Sequence, residues 1–191
     1  MILFVDACAR KNSRTRVLAE HLLEKLGGEA EVLKLYDEEL PNVTEDYINM
    51  RSAGSFDDAS FRFAKQFAEA DAVLIAAPFW DLSFPSVLKR YIEAICVTGI
   101  TFTYSDAGIP VGMCRAKKLY YVTTSGGPIF SREFGFGYIS ALASGFFGIA
   151  DCEFISAENL DIAGNDPSAI LEDAKKKIDD RPEFAGVRSY L

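Results

Sequence analysis

The sequence has very little histidine, and its few cysteines are scattered. It contains one histidine, His21, and four cysteines in 191 residues. Because the cysteines are far apart and form no C-x-x-C pair, we expect reduced thiols of a cytoplasmic protein and no metal site or disulfide framework. His21 lies between apolar turns of the first predicted helix, which favours a structural role over catalysis. A nucleophile with a histidine base is therefore not indicated.

The sequence also lacks a positive charge balance and long apolar runs. Lys and Arg total 20 against 28 Asp and Glu, which gives a net charge of −8. This balance argues against nucleic-acid binding, which needs a basic face, and gives no reason to expect binding to an anionic membrane. The N-terminus, MILFVDACAR, has no secretory signal pattern, and no stretch approaches the roughly 20 apolar residues of a membrane span. We expect a cytoplasmic protein whose partner is a small molecule.

Strand and helix patterns alternate along the whole chain, which predicts one α/β domain (1–191) with a short C-terminal tail (181–191). Such alternation gives a parallel sheet with right-handed crossovers, doubly wound by helices on both faces. The tail carries Phe184, Val187, Tyr190 and Leu191, which could pack on this or a neighbouring subunit. The predicted strands are 1–5, 31–36, 72–78 and 152–160, with a further strand followed by a glycine turn over 118–127, and the main predicted helices are 13–26, 57–70, 85–96, 134–147 and 167–179.

The first loop (7–15) has the composition of a phosphate site. It follows a buried strand and leads into a helix that opens on Ser13 and Thr15, with four cations between residues 10 and 16. A helix N-terminus has backbone N–H groups without partners and a partial positive charge, so it stabilises anions. The alternative is a simple helix cap beside a solvated charge run.

The second loop (78–84) and the third loop (124–130) follow other predicted strands. In an open α/β sheet, ligands bind at the carboxyl ends of the strands, so the three loops should meet. The second loop carries three aromatic residues, which bind something or simply cap the sheet. The third contains Gly126-Gly127, which allows close backbone approach to a flat ligand or makes an ordinary turn. A phosphate loop, an aromatic loop and a glycine turn together suit flavin mononucleotide (FMN).

Residues 76–108 carry a more specific pattern. They read A-A-P, a short loop with aromatic residues, a Pro-led helix, and then G-x-T-F-x-Y with a glycine turn at Gly108. This segment resembles the FMN-dependent NAD(P)H azoreductase and quinone reductase family, and the resemblance extends over most of the chain. It implies a flavodoxin-like fold, a five-stranded sheet of order 2-1-3-4-5, and a homodimer with the flavin near its interface. Phe130, Phe134, Phe136 and the tail are candidates for that interface or a pocket lid, with core packing as the alternative for Phe134 and Phe136.

The resemblance also assigns cofactor-binding positions, and it assigns no catalytic side chain because the flavin carries the chemistry. The phosphate positions are Ser13, Arg14 and Thr15, with Arg10 nearby. The isoalloxazine edge is matched by Pro78, Phe79, Trp80, Asp81 and Leu82, and the pyrimidine end by Thr124, Ser125, Gly126 and Gly127.

The chain departs from the family pattern in the first two loops. The first loop is short and is similar to that of NADPH-dependent FMN reductases, with Ala7 where a hydroxyl residue is common. Asp81 stands where Asn is usual. These departures bear on the preferred electron acceptor more than on the cofactor.

The resemblance implies a ping-pong reaction in which NADH or NADPH reduces the flavin, and a quinone, azo or nitro compound is then reduced on the same face. The sequence does not distinguish NADH from NADPH. An electron-transfer flavodoxin without a substrate of its own is the alternative. A hydrolase on the same scaffold is disfavoured, because it would need a metal or a nucleophile–base pair.

Overall fold

A sheet of five parallel strands forms the centre of the molecule. The computed structural model describes residues 1–184. The strand order is β2-β1-β3-β6-β7, and all four neighbouring pairs are parallel. This order confirms the predicted doubly wound arrangement, 2-1-3-4-5. The strands of this sheet are β1 (Ile2–Asp6), β2 (Ala30–Lys34), β3 (Ala72–Ala76), β6 (Lys118–Thr124) and β7 (Asp151–Ala157).

Helices cover both faces of the sheet. Alternate residues of β1 point to opposite faces, since Leu3 and Val5 join one apolar cluster and Phe4 joins the other. One cluster contains the apolar stripes of α1 and α6, and the opposite one contains those of α3, α4 and α5. The helices are α1 (Arg14–Leu26), α2 (Glu45–Ala53), α3 (Arg62–Glu69), α4 (Ser86–Ile95), α5 (Tyr138–Leu142) and α6 (Pro167–Asp179).

Several predicted boundaries need correction. The second strand ends at Lys34, because residues Leu35–Asp37 turn into a 3₁₀-helix. The helix predicted over 57–70 begins with a 3₁₀ turn at Ala59–Phe61 and becomes α-helical only from Arg62. The strands predicted to reach residues 78 and 160 end earlier, at Ala76 and Ala157, because their last residues belong to the loops at the sheet edge. The glycine turn predicted within 118–127 follows β6, which ends at Thr124.

The helix predicted over 134–147 is a composite. Only Tyr138–Leu142 is α-helical, and π-helical turns at Glu133–Gly137 and Ala143–Phe147 flank it. Glycine favours the α-helix poorly, and Gly135, Gly137 and Gly145 fall in these widened turns. Such turns often lie at functional sites, and the first of them leads away from the third loop.

A small hairpin follows α4. Its strands are β4 (Phe102–Tyr104) and β5 (Pro110–Gly112), which pair antiparallel. A Cβ added at Gly112 would lie 2.2 Å from the backbone N of Gly148, so only glycine permits the close contact between this hairpin and the end of the composite helix. Four large apolar side chains of the hairpin and its flank are exposed: Tyr104, Ile109, Val111 and Met113.

The C-terminal tail is described only in part. Phe184 is buried in the cluster that contains α1 and α6. The other predicted packing residues of the tail, Val187, Tyr190 and Leu191, lie outside the described residues. Within residues 1–184, no helix has both the length and the apolarity required to cross a membrane.

Candidate functional site

Three loops meet at the carboxyl edge of the sheet and enclose an open cavity of about 220 Å³. The first loop joins β1 to α1, the second joins β3 to α4, and the third follows β6. The Phe79 N–H donates to the Thr124 carbonyl (3.0 Å), which ties the second loop to the third. The residues that line the cavity are Ala9, Arg10, Ser13, Arg14, Thr15, Pro78, Phe79, Trp80, Thr124, Gly126 and Asp161.

The first loop presents a row of unused backbone donors. Within the described chain, the N–H groups of residues 9–13 have no hydrogen-bond acceptor, and those of Arg14 and Thr15 belong to the first turn of α1. Ser13 is the N-cap, and its Oγ accepts from the Arg16 N–H (3.4 Å). The helix dipole adds partial positive charge at this point. The loop therefore has the donor set that an anion requires.

Arg16 stabilises the conformation of the first loop through hydrogen bonds. Its Nε donates to the carboxylate of Asp6, which is fully buried at the end of β1. Its other nitrogens donate to three backbone carbonyls of the loop, those of Cys8 (2.7 Å), Arg10 (2.9 Å) and Lys11 (2.9 Å). The second oxygen of Asp6 accepts the Cys8 N–H (2.9 Å). Arg16 is thus a structural cation, while Arg10 and Arg14 line the cavity.

Arg14 is paired across the cavity mouth. Its Nη1 and Nη2 donate to Asp161 Oδ1 (2.8 Å) and Oδ2 (3.1 Å), in the fork geometry of a bidentate pair. The hydrogen bond from Arg14 lowers the pKa of the Asp161 carboxyl. Beneath this pair, the hydroxyls of Thr15 and Thr124 lie 2.6 Å apart and join the first loop to the third.

The second loop contains a strained two-residue turn. Trp80 and Ser83 exchange two backbone hydrogen bonds (3.1 and 2.8 Å) around Asp81 and Leu82, whose φ angles are +50° and +67°. Leucine rarely adopts this left-handed conformation, and such strain clusters at functional sites. The Ser83 Oγ donates to the Phe134 carbonyl (2.6 Å), which anchors the turn against the first π-helical turn.

The third loop is joined to the loop after β7. The N–H groups of Leu160 and Asp161 donate to the carbonyls of Ser125 (3.1 Å) and Gly126 (2.9 Å). The N–H groups of Gly126 and Gly127 have no acceptor within residues 1–184. Those two donors remain available to a ligand beside the aromatic second loop.

Nine of the predicted site residues line the cavity: Arg10, Ser13, Arg14, Thr15, Pro78, Phe79, Trp80, Thr124 and Gly126. The other four do not line it. Asp81 and Leu82 form the tip of the second loop, Ser125 donates its hydroxyl to the Gly127 carbonyl (2.5 Å), and Gly127 lies next in the chain.

Sequence reasoning missed Ala9 and Asp161. Asp161 follows β7, whose carboxyl end lies at the same sheet edge, so the rule that located the other three loops could have included this one.

The cavity holds no activated nucleophile. Cys8 is buried, and burial raises the pKa of its thiol to about 12. His21 does not line the cavity, because its Nε2 lies 2.8 Å from Asp179 of α6. The groups that line the cavity are therefore those of a ligand-binding site.

An open parallel sheet with a first loop rich in hydrogen-bond donors, an aromatic second loop and a glycine-containing third loop defines the flavodoxin-like class of α/β proteins. The family model described as flavodoxin-like fold matches residues 1–181, and the chain belongs to this family.

Similar proteins have consistent names. The chain is 39% identical to FMN-dependent NADH:quinone oxidoreductase 2 of Clostridium acetobutylicum, with 92% of this chain and 94% of the relative covered. It is 34% identical to the FMN-dependent NADH:quinone oxidoreductase of Coprothermobacter proteolyticus, covering 93% and 96%. A crystal structure of an azoreductase from Bacillus anthracis superposes with a TM-score of 0.79 at 28% identity, covering 93% of this chain and 95% of that one.

Proposed function

We propose that this protein is an FMN-dependent NADH:quinone oxidoreductase that also accepts azo or nitro compounds. The observation that carries the proposal is the meeting of the three loops around one cavity, whose lining combines anion donors with aromatic and glycine residues. The names of the relatives support the FMN cofactor, NADH as reductant and a quinone as acceptor. They also favour an enzyme over an electron-transfer module.

The first loop fits the FMN phosphate. The row of unpaired N–H groups at residues 9–13, the start of α1 and the side chains of Arg10, Ser13 and Arg14 provide neutral and cationic donors on one side of the cavity. Thr15 lies beneath them and links to Thr124. We call the first loop with Asp161 the phosphate end.

The second and third loops fit the flavin ring system. Phe79 and Trp80 form an aromatic wall beside Pro78, and Gly126 lines the same cavity with an unpaired N–H, with a second unpaired N–H at the adjacent Gly127. We call these two loops the ring end. Preorganised donors at Gly126 and Gly127 would stabilise negative charge that develops at the pyrimidine edge.

When bound, FMN would supply reversible two-electron chemistry, by which NADH is oxidised to NAD⁺ and a quinone is reduced to the hydroquinone with net uptake of one proton from solvent. The chain's own residues bind and orient the reactants. No side chain of the cavity needs to act as a general base, which agrees with the inert Cys8 and with the position of His21 away from the cavity. Since the reductant and acceptor use one open face in turn, we expect ping-pong kinetics.

We also propose that the enzyme is a cytoplasmic homodimer. Four large apolar side chains of the ring end and its border are exposed: Trp80, Leu82, Phe130 and Phe134. Exposed apolar patches of this kind are typical of interaction sites. Phe136, in contrast, packs against Tyr121 and Phe154 in the core. Sedimentation equilibrium tests this part, with a Phe134→Ser variant expected to weaken the dimer.

Anaerobic titration with NADH tests the proposed activity. The purified protein is loaded with FMN, desalted and mixed with NADH under nitrogen, and a quinone is then added. We expect the flavin absorbance to bleach and then to return. Retained flavin that NADH and NADPH both fail to bleach would instead support an electron-transfer protein. A protein that retains no flavin would contradict the proposal altogether.

A further inference from the structure

Asp161 pairs with Arg14, one of the two cations that line the proposed phosphate site. Arg14 is the first residue of α1, and both of its terminal nitrogens bind the Asp161 carboxylate (2.8 and 3.1 Å). The same guanidinium lies 3.5 Å from the Leu160 carbonyl. The donor fork that best fits a phosphate is therefore occupied by a carboxylate from the loop after β7.

Backbone contacts fix the position of Asp161. Its N–H donates to the Gly126 carbonyl (2.9 Å), and the neighbouring Leu160 N–H donates to Ser125. A Cβ added at Gly126 would lie 2.6 Å from Asp161 Oδ2, so the absence of a side chain at Gly126 leaves the space that this carboxylate uses. The acid is thus built into the cavity wall, although 63% of its side chain is exposed.

The phosphate end contains charges of both signs. Arg10 and Arg14 are the two cations that line the cavity, and Asp161 is the one acid that lines it within residues 1–184. The hydrogen bond from Arg14 lowers the pKa of the Asp161 carboxyl, so this group is ionised at neutral pH. A phosphate dianion bound beside Arg14 would meet both a cation that is already paired and a like charge.

We propose that Asp161 competes with the FMN phosphate for Arg14 and thereby sets how tightly the cofactor is held. The inference rests on the proposed function, since it requires FMN in this cavity. It assigns Asp161 as an affinity-determining residue that weakens binding. Because of this competition, bound FMN should dissociate and exchange with free FMN more readily than it would if both Arg10 and Arg14 were free to bind the phosphate.

Titration of the apoprotein with FMN and, separately, with riboflavin tests the inference. Riboflavin has the same ring and no phosphate, so it reports on the ring end alone. We expect Asp161→Asn to bind FMN about three- to tenfold more tightly than the unsubstituted protein and to leave riboflavin affinity unchanged. Asp173→Asn is the matched control, because it removes the same charge from a similarly exposed carboxylate, which pairs with Lys177 (2.7 Å); it should change neither affinity.

A double-mutant cycle with Arg14→Gln tests whether the competition acts through Arg14. In that background, Asp161→Asn should have a much smaller effect on FMN affinity. Unchanged or weaker FMN binding by the single Asp161→Asn variant, an equal change for riboflavin, or a full effect without Arg14 would each overturn the inference while leaving the proposed function intact. Failure of the unsubstituted protein to bind FMN would overturn the proposed function itself.

Discussion

At the phosphate end, the groups that shape the first loop are buried and hydrogen-bonded, whereas at the ring end the aromatic side chains are partly exposed and one turn is strained. Arg16 and Asp6 fix the first loop from within the fold. Trp80 and Leu82 are 41% and 39% exposed, and Leu82 has a left-handed backbone. The comparison indicates a division of roles, in which contacts within the fold hold the first loop and the second loop stays open to solvent.

The largest expected effect comes from removing the cation that pairs with the buried Asp6 at the phosphate end. Arg16→Met leaves the Asp6 carboxylate buried without its partner, so we expect the free energy of unfolding to fall by about 3 kcal/mol. Urea denaturation of the apoprotein measures this loss. Lys177→Met, which breaks the exposed pair with Asp173, should cost less than about 1 kcal/mol. Equal losses of unfolding free energy in the two variants would contradict the conclusion that Arg16 stabilises the first loop.

The next largest effect should appear in the affinity for FMN and not in the free energy of unfolding. Arg10→Gln removes a cation that lines the cavity, so FMN affinity should fall about tenfold while riboflavin affinity stays the same. Lys11→Gln is the control, because Lys11 is exposed in the same loop and does not line the cavity. Calorimetric titration with both flavins gives the two affinities. Similar FMN losses in both variants would mean that the loop acts only through its total charge.

A smaller effect is expected at the strained turn of the ring end. Glycine adopts a left-handed backbone without the steric penalty of other residues, so Leu82→Gly should be more stable than Leu82→Ala by about 1 kcal/mol. Both variants remove the leucine side chain, and the difference between them isolates the backbone. Thermal and urea unfolding provide the measurement. A glycine variant less stable than the alanine variant would show that the turn is not strained in solution.

The smallest expected effect concerns the Cys8 thiol, which should hardly react with a labelling reagent. Burial raises the pKa of the Cys8 thiol to about 12, so Cys8 should stay protonated and unreactive toward iodoacetamide at pH 8 in the native protein. Mass spectrometry after labelling of native and urea-unfolded protein measures this protection. Rapid native labelling of Cys8 would show that the phosphate end opens more readily than its buried contacts indicate.

The fold could be predicted from the sequence because its signals are strong and local. The strand predicted over 72–78 is present as β3, and the helix predicted to open on Ser13 is α1, of which Ser13 is the N-cap. The composite helix was missed because apolar spacing and glycine content do not distinguish an α-helix from widened π turns. The shortened strands reflect the limited precision of boundaries in apolar segments.

The site was predicted in outline, and its internal contacts were not. Composition located the three loops, but four cations within seven residues look alike in a sequence. Only the fold separates Arg16, which binds Asp6, from Arg14, which binds Asp161 from a loop 147 residues away. The strain at Leu82 was also invisible, because leucine carries no turn signal.

The affinity of the unsubstituted protein for FMN compared with riboflavin tests the central claim most directly. If the first loop anchors a phosphate and the other two loops hold the ring, FMN should bind at least about 100-fold more tightly than riboflavin at the same salt concentration. Equal affinities would contradict the account, because the unpaired donors of residues 9–13 and the cations Arg10 and Arg14 would then have no part in holding the cofactor.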